Sequence, residues 1–239
     1  MNWWQVVEGG AYTIYLRKAD GSPPLRLGQG YYGADLSRDR KWALVMTQAT
    51  PEQLFLLPTG AGDLRQITRD AMRRRDTCLF PDGKRVAFVG IEASHQARVY
   101  IQGTEDAAPP RPITSEGMSG QIACSPRGDS VALSSGQLWI VPVNGGSPRA
   151  IPNTDATELI AGWSADGRSL YTFHRGELRA KLYRVAIASG EHVLMKEIAP
   201  ADAAGAGPIR QIETTPDLNA YMYGFARDLN ELYLVEGLK

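Results

Sequence analysis

Phe80-Pro81-Asp82-Gly83-Lys84 reads as a tight turn between two apolar runs, Cys78-Leu79-Phe80 before it and Arg85-Val86-Ala87-Phe88-Val89 after it. Asp-Gly supplies the positive φ that a hairpin turn needs, and the β-branched and aromatic flanks favour strands. Working outward, the pattern recurs at Ala34-Asp35-Leu36-Ser37-Arg38-Asp39-Arg40-Lys41, Ala123-Cys124-Ser125-Pro126-Arg127-Gly128-Asp129, Gly162-Trp163-Ser164-Ala165-Asp166-Gly167-Arg168 and Glu213-Thr214-Thr215-Pro216-Asp217-Leu218-Asn219. The turn column Asp39, Asp82, Arg127, Asp166, Asp217 advances by 43, 45, 39 and 51 residues.

Each turn is followed by a second strand-like run, at 42–46, 85–89, 130–133, 169–173 and 220–225. A third run carries an aromatic between aliphatics. Its column is Tyr15, Phe55, Tyr100, Trp139, Tyr183 and Tyr233, spaced by 40, 45, 39, 44 and 50 residues. Five of these six runs lead through a further turn, such as Asn144-Gly145-Gly146-Ser147-Pro148, into a short fourth strand. Four antiparallel strands per unit of about 40 residues specify a β-propeller blade. Paired helices do not fit runs of four to seven residues, and a two-layer sandwich has no need of one motif at near-equal intervals. The regular aromatic column reads as packing between blades.

The sequence therefore predicts an all-β fold, a single β-propeller domain over 1–239 with six four-stranded blades at about 1–29, 30–69, 72–114, 119–152, 158–198 and 209–239. The first and last blades are incomplete. The first lacks an inner strand, which would fall just before Met1, so the chain reads as the C-terminal part of a longer one; 3–7 then form the second strand of the first blade or the outer strand of the last. Five blades, one of them shared by both ends, is the alternative. The stretch 198–208, with Pro200 and several alanines, reads as an inserted surface loop with a helical turn.

Phe80-Pro81-Asp82-Gly83 and Trp163-Ser164-Ala165-Asp166-Gly167 resemble the Ser-Pro-Asp-Gly repeat of TolB-type, WD40-like propellers. Tyr15-Leu16-Arg17-Lys18-Ala19-Asp20-Gly21-Ser22-Pro23-Pro24, Leu56-Leu57-Pro58-Thr59-Gly60-Ala61-Gly62 and Glu231-Leu232-Tyr233-Leu234-Val235-Glu236-Gly237-Leu238-Lys239 are similar to the C-terminal propeller regions of bacterial serine/threonine protein kinases. That resemblance implies a sensor or protein-interaction region of a larger signalling protein. It does not carry kinase activity, because the Gly-rich loop, His-Arg-Asp and Asp-Phe-Gly are missing from these residues.

With 26 basic and 26 acidic side chains the formal net charge is zero, which argues against a nucleic-acid partner. No run of apolar residues is long enough to form a membrane segment. The N-terminal residues lack the basic start and apolar core of a secretory leader, so the chain as written reads as cytoplasmic; it would be extracytoplasmic within a membrane-anchored longer protein. Cys78 and Cys124 read as structural thiols. In the repeat column Cys124 aligns one residue beyond Cys78, so alternation turns the two sulfurs to opposite faces of their strands and speaks against a disulfide.

No catalytic motif, cofactor motif or metal-ligand spacing is present. Ser164 and the turn aspartates fit structural turn bonds. Candidate ligand-binding residues fall in two places. One is the rim formed by the loops between second and third strands and by the blade-to-blade connections, holding His95 and the cluster Arg73, Arg74 and Arg75, with Arg69, Asp70 and Asp76 beside it. Asp70 and Asp76 are expected to pair with these arginines on a solvated loop. The other is the channel, where Asp35 and Glu213 share an inner-strand column. The reading that follows is a non-enzymatic module binding a protein, peptide or small ligand at a rim or channel mouth. The alternatives are a lactonase- or cyclase-like propeller enzyme using channel carboxylates, and the regulatory propeller of a peptidase.

Overall fold

The computed structural model describes the backbone of residues 2–8, and residues 10–17, 22–105 and 108–227. Among these, every regular element is a β-strand and all pairing is antiparallel. The chain forms two compact units, Met1–Ala156 and Thr157–Lys239.

The first unit holds four sheets. β1 (Asn2–Glu8), β2 (Ala11–Arg17) and β3 (Leu25–Gln29) make a three-stranded sheet. β4 (Tyr31–Leu36), β5 (Trp42–Thr47), β6 (Leu54–Pro58) and β7 (Arg65–Gln66) make the second. The third contains β8 (Arg73–Leu79), β9 (Arg85–Ile91), β10 (Arg98–Gly103) and β11 (Arg111–Pro112). The fourth contains β12 (Gln121–Cys124), β13 (Ser130–Ser134), β14 (Leu138–Pro142) and β15 (Arg149–Ala150). In the second unit, β16 (Glu158–Trp163), β17 (Ser169–His174), β18 (Ala180–Ala186) and β19 (His192–Ile198) form a fifth sheet, and β20 (Ala206–Thr214) pairs with β21 (Tyr221–Arg227). Repeated four-stranded antiparallel meanders of this kind are the blades of a β-propeller.

Residues 3–7 lie in β1, paired with β2, so they are a second strand of the first sheet and not an outer strand of the last. The third strand expected around Tyr233 falls outside the described residues. The expected loop after Ile198 contains no helix; it is short, and β20 already starts at Ala206.

The middle strands of the second and third sheets read as continuous apolar runs because these sheets are covered on both faces. In β9, Val86 and Phe88 pack with Leu44, Leu54 and Leu56 of the second sheet, whereas Ala87 and Val89 pack with Ile122, Val131 and Leu133 of the fourth. All of these are buried. Each full burial of a Val, Leu or Phe contributes about 1.5–3 kcal/mol, so these seams dominate cohesion of the unit. Ile14 packs with Ala43, Val45 and Leu57 between the first and second sheets, and Phe173 and Leu182 with Ile209 and Ile212 in the second unit.

One expectation is overturned. Cys78 of β8 and Cys124 of β12 form a disulfide, with Sγ–Sγ 2.08 Å and Cα–Cα 5.7 Å. The two sulfurs do lie on opposite faces of their strands, and that is what brings them together. When sheets pack side by side, a residue on the forward face of one inner strand and a residue on the backward face of the next point at each other.

Candidate functional site

The turn column is structural, as its chemistry suggested. Asp39 Oδ1 accepts from Lys41 N at 3.0 Å and from the Ser37 hydroxyl at 2.6 Å. Asp82 Oδ1 accepts from Lys84 N at 2.9 Å. Asp166 accepts from Arg168 N at 3.0 Å and from the Ser164 hydroxyl at 2.7 Å, and Asp217 accepts from Asn219 N at 3.1 Å. Where the column has Arg127, Asp129 takes over and accepts from the Ser125 hydroxyl at 2.8 Å. Hydroxyl and amide donors stabilise the carboxylate form, holding Asp39, Asp166 and Asp217 below the usual aspartate range. At the end of the sheets that carries these turns, a cleft of about 460 Å³ opens between the second and third sheets, with Trp42, Leu56 and Leu79 in its lining. Arg65 stacks on Trp42 at 4.2 Å and pairs with Glu105 at 3.5 Å.

The inner strands carry the carboxylates. Asp35 Oδ1 accepts from Leu36 N at 2.7 Å, and its Oδ2 accepts from Leu79 N of the neighbouring inner strand at 2.8 Å. Asp76 repeats the device one sheet on: Oδ1 accepts from Thr77 N at 3.1 Å and Oδ2 from Ile122 N of β12 at 2.6 Å. A register shift in each strand, between Gly33 and Asp35 and between Arg74 and Thr77, turns the side chain towards the next sheet. Burial raises both carboxyls to about 6 against the opposing pull of these backbone donors, with the charge of Asp35 a smaller upward contribution at Asp76. They act as clamps between blades. Glu213 lies on β20 in the second unit and accepts from Gln211 Nε2 at 2.6 Å.

The arginine cluster does not lie on a solvated loop. Arg73, Arg74 and Arg75 begin β8, with Arg73 opposite Ile91 at the end of β9. Alternation exposes Arg73 and Arg75 and buries Arg74, whose side chain is 0% exposed. Arg74 Nη2 meets Asp70 at 2.6 Å, while Nη1 donates to the carbonyls of Met72 at 2.9 Å and Glu52 at 3.0 Å, and the guanidinium sits over Phe88. Of the two aspartates expected to neutralise the cluster, Asp70 does so and Asp76 binds backbone N–H groups instead. His95 lies in the β9–β10 loop at the same end of the sheet, 49% exposed, with Nδ1 at 2.7 Å from Glu116 Oε1. Arg98 links Glu116 to Glu92 beside it.

Sequence reasoning missed a second buried ionisable residue, Glu158 at the start of β16, whose Oε1 is 3.1 Å from His192 Nε2. Four residues before Gly162, it occupies the repeat position that Arg74 holds four residues before Cys78. That repeat position reads Tyr31, Arg74, Ser119, Glu158 and Ile209, so the column carried no regular signal for it. Among the described residues, no group of three or more His, Cys, Asp or Glu converges, and no helix is long and apolar enough to cross a membrane.

Sheets of this order and covering define the β-propeller class, with TolB-type proteins among its structural neighbours. TolB from Acinetobacter baumannii superposes with a TM-score of 0.67 at 16% identity, over 90% of this chain and 60% of that one. An oligogalacturonate lyase in complex with manganese gives 0.63 at 14% identity, over 87% and 62%, and a chain of the nidogen/laminin complex gives 0.65 at 12%, over 90% and 82%. The chain thus spans about 60% of the length of the TolB structure it matches. No protein-family model and no curated protein matches it. At these identities the likeness establishes the fold.

Proposed function

We propose that the chain is a non-enzymatic propeller module, the protein-binding part of a larger bacterial signalling protein, and that its contact surface is the rim bearing Arg73, Arg75 and His95. One observation carries this reading: alternation along β8 leaves two cations exposed two residues apart, beside an exposed histidine. The inner-strand carboxylates Asp35 and Asp76, which an enzyme would present to substrate, have both oxygens engaged by backbone donors. Two guanidinium groups on a strand suit carboxylate side chains of an acidic segment, because each offers a planar fork of donors. A chain of the nidogen/laminin complex among the structural neighbours is in keeping with protein recognition.

The probe is a fluorescent decaglutamate peptide, followed by anisotropy in low and in physiological salt. Arg73→Glu with Arg75→Glu should weaken binding at least tenfold, and added salt should weaken binding to the native chain. Equal affinity of native and variant chains refutes the rim. A second reading, favoured by the lyase neighbour, makes Asp35 or Glu213 a catalytic carboxylate. Turnover of an oligouronate or lactone that disappears in Asp35→Asn or Glu213→Gln would replace the binding reading.

A further inference from the structure

Both cysteines of the chain are joined in the bridge between β8 and β12. Cys78 is only 5% exposed and lies in the apolar seam with Phe80, Ala87, Ile122 and Val131, one residue before Leu79, whose N–H is clamped by Asp35. Cys124 closes β12 two residues after Ile122, whose N–H is clamped by Asp76. The bridge therefore spans a seam already fixed by packing and by a carboxylate, at a Cα–Cα distance of 5.7 Å that matches the roughly 4.4–6.8 Å taken by disulfides. The two side chains face each other because the sheets pack side by side.

We propose that this bridge is closed in the working protein and that the domain acts in an oxidising compartment, outside the reducing cytosol. Closure removes two electrons and two protons from the two thiols. A thiol–disulfide oxidoreductase supplies the accepting disulfide: one cysteine thiolate attacks it to form a mixed disulfide, the second displaces the partner thiolate, and the partner leaves as a dithiol. A glutathione-poised cytosol drives the reverse exchange and keeps such pairs reduced. The proposal departs from the cytoplasmic reading of the N-terminal residues. It is tested apart from the rim, since thiol trapping reads the cysteines and not binding.

The test is thiol trapping on the unaltered protein in its own cells: acid quenching, denaturation, then N-ethylmaleimide with and without prior reduction, read by mass on the peptides that carry Cys78 and Cys124. The expected result is that neither cysteine is labelled before reduction and both are labelled after it. Labelling of both without reduction overturns the proposal. Purified oxidised protein should also lose about 5–15 °C of melting temperature on reduction, and Cys78→Ser with Cys124→Ser should melt where the reduced protein does. An unchanged melting temperature on reduction rejects the bridge as a structural link; if the double variant fails to fold, the mass and reduction measurements still decide.

Discussion

Asp35 and Asp76 are carboxylates placed where solvent is scarce, and each is held by two backbone N–H groups, one from the next inner strand. Desolvation outweighs these donors, so the folded chain binds protons at these sites up to about pH 6, whereas an unfolded aspartate releases them near 3.8. With the folded value raised, the folded state holds more protons than the unfolded state between these limits, and stability contributed by these groups is lost as pH rises through about 6. Urea midpoints of the native chain should therefore increase from pH 7 to pH 5 by more than those of Asp35→Asn or Asp76→Asn. Parallel pH profiles for native and variant chains would show that neither carboxyl is perturbed by folding. The sequence disclosed Asp35 as a member of an inner-strand column but gave Asp76 to the arginines. The two clamps sit at different column positions because their register shifts differ, and a column built on spacing alone does not see a bulge.

Among the elements, β19 stands apart. The outer strands β7, β11 and β15 are two residues long, whereas β19 runs for seven and leaves Val193, Leu194 and Met195 exposed, Leu194 by 50%. A long apolar edge invites pairing with another chain. Two features blunt it. A register shift opposite Leu182 and Tyr183 leaves Met195 out of the ladder, and Lys196 places a charge on the strand, with its Nζ 4.6 Å from the Tyr221 ring centroid. Lys196→Ile should produce concentration-dependent association, visible as a rise in light scattering. Scattering that stays at the native level would mean that the bulge alone protects the edge. The Arg74 segment carries a related lesson. Six charged residues among the eight from Arg69 to Asp76 suggested a solvated loop, yet Arg73 begins a strand, and strand alternation buries the middle arginine against Phe88 while its neighbours stay in water.

At the scale of the whole chain, charge balance remains informative. With 26 cations against 26 anions, affinity for a polyanion has no bulk electrostatic source, and exposed Arg73 and Arg75 form a local exception. The chain should therefore pass through a duplex-DNA column at physiological salt without retention. Retention that persists there would show a basic surface strong enough to overrule the balance.

The sequence by itself determined the blade: turn, apolar run, aromatic strand and short outer strand repeat at intervals set by the length of a four-stranded sheet. Period and alternation are local properties, so they survive in a one-dimensional reading. Only the tertiary structure decided what faced what. Side-by-side packing turned two opposite-facing cysteines into a bridge, two acidic residues into clamps on a neighbour's backbone, and the central arginine of a charged cluster into a buried side chain paired with an exposed aspartate. Each depends on the direction a side chain takes relative to the next sheet, a relation between segments more than 40 residues apart for the bridge and both clamps.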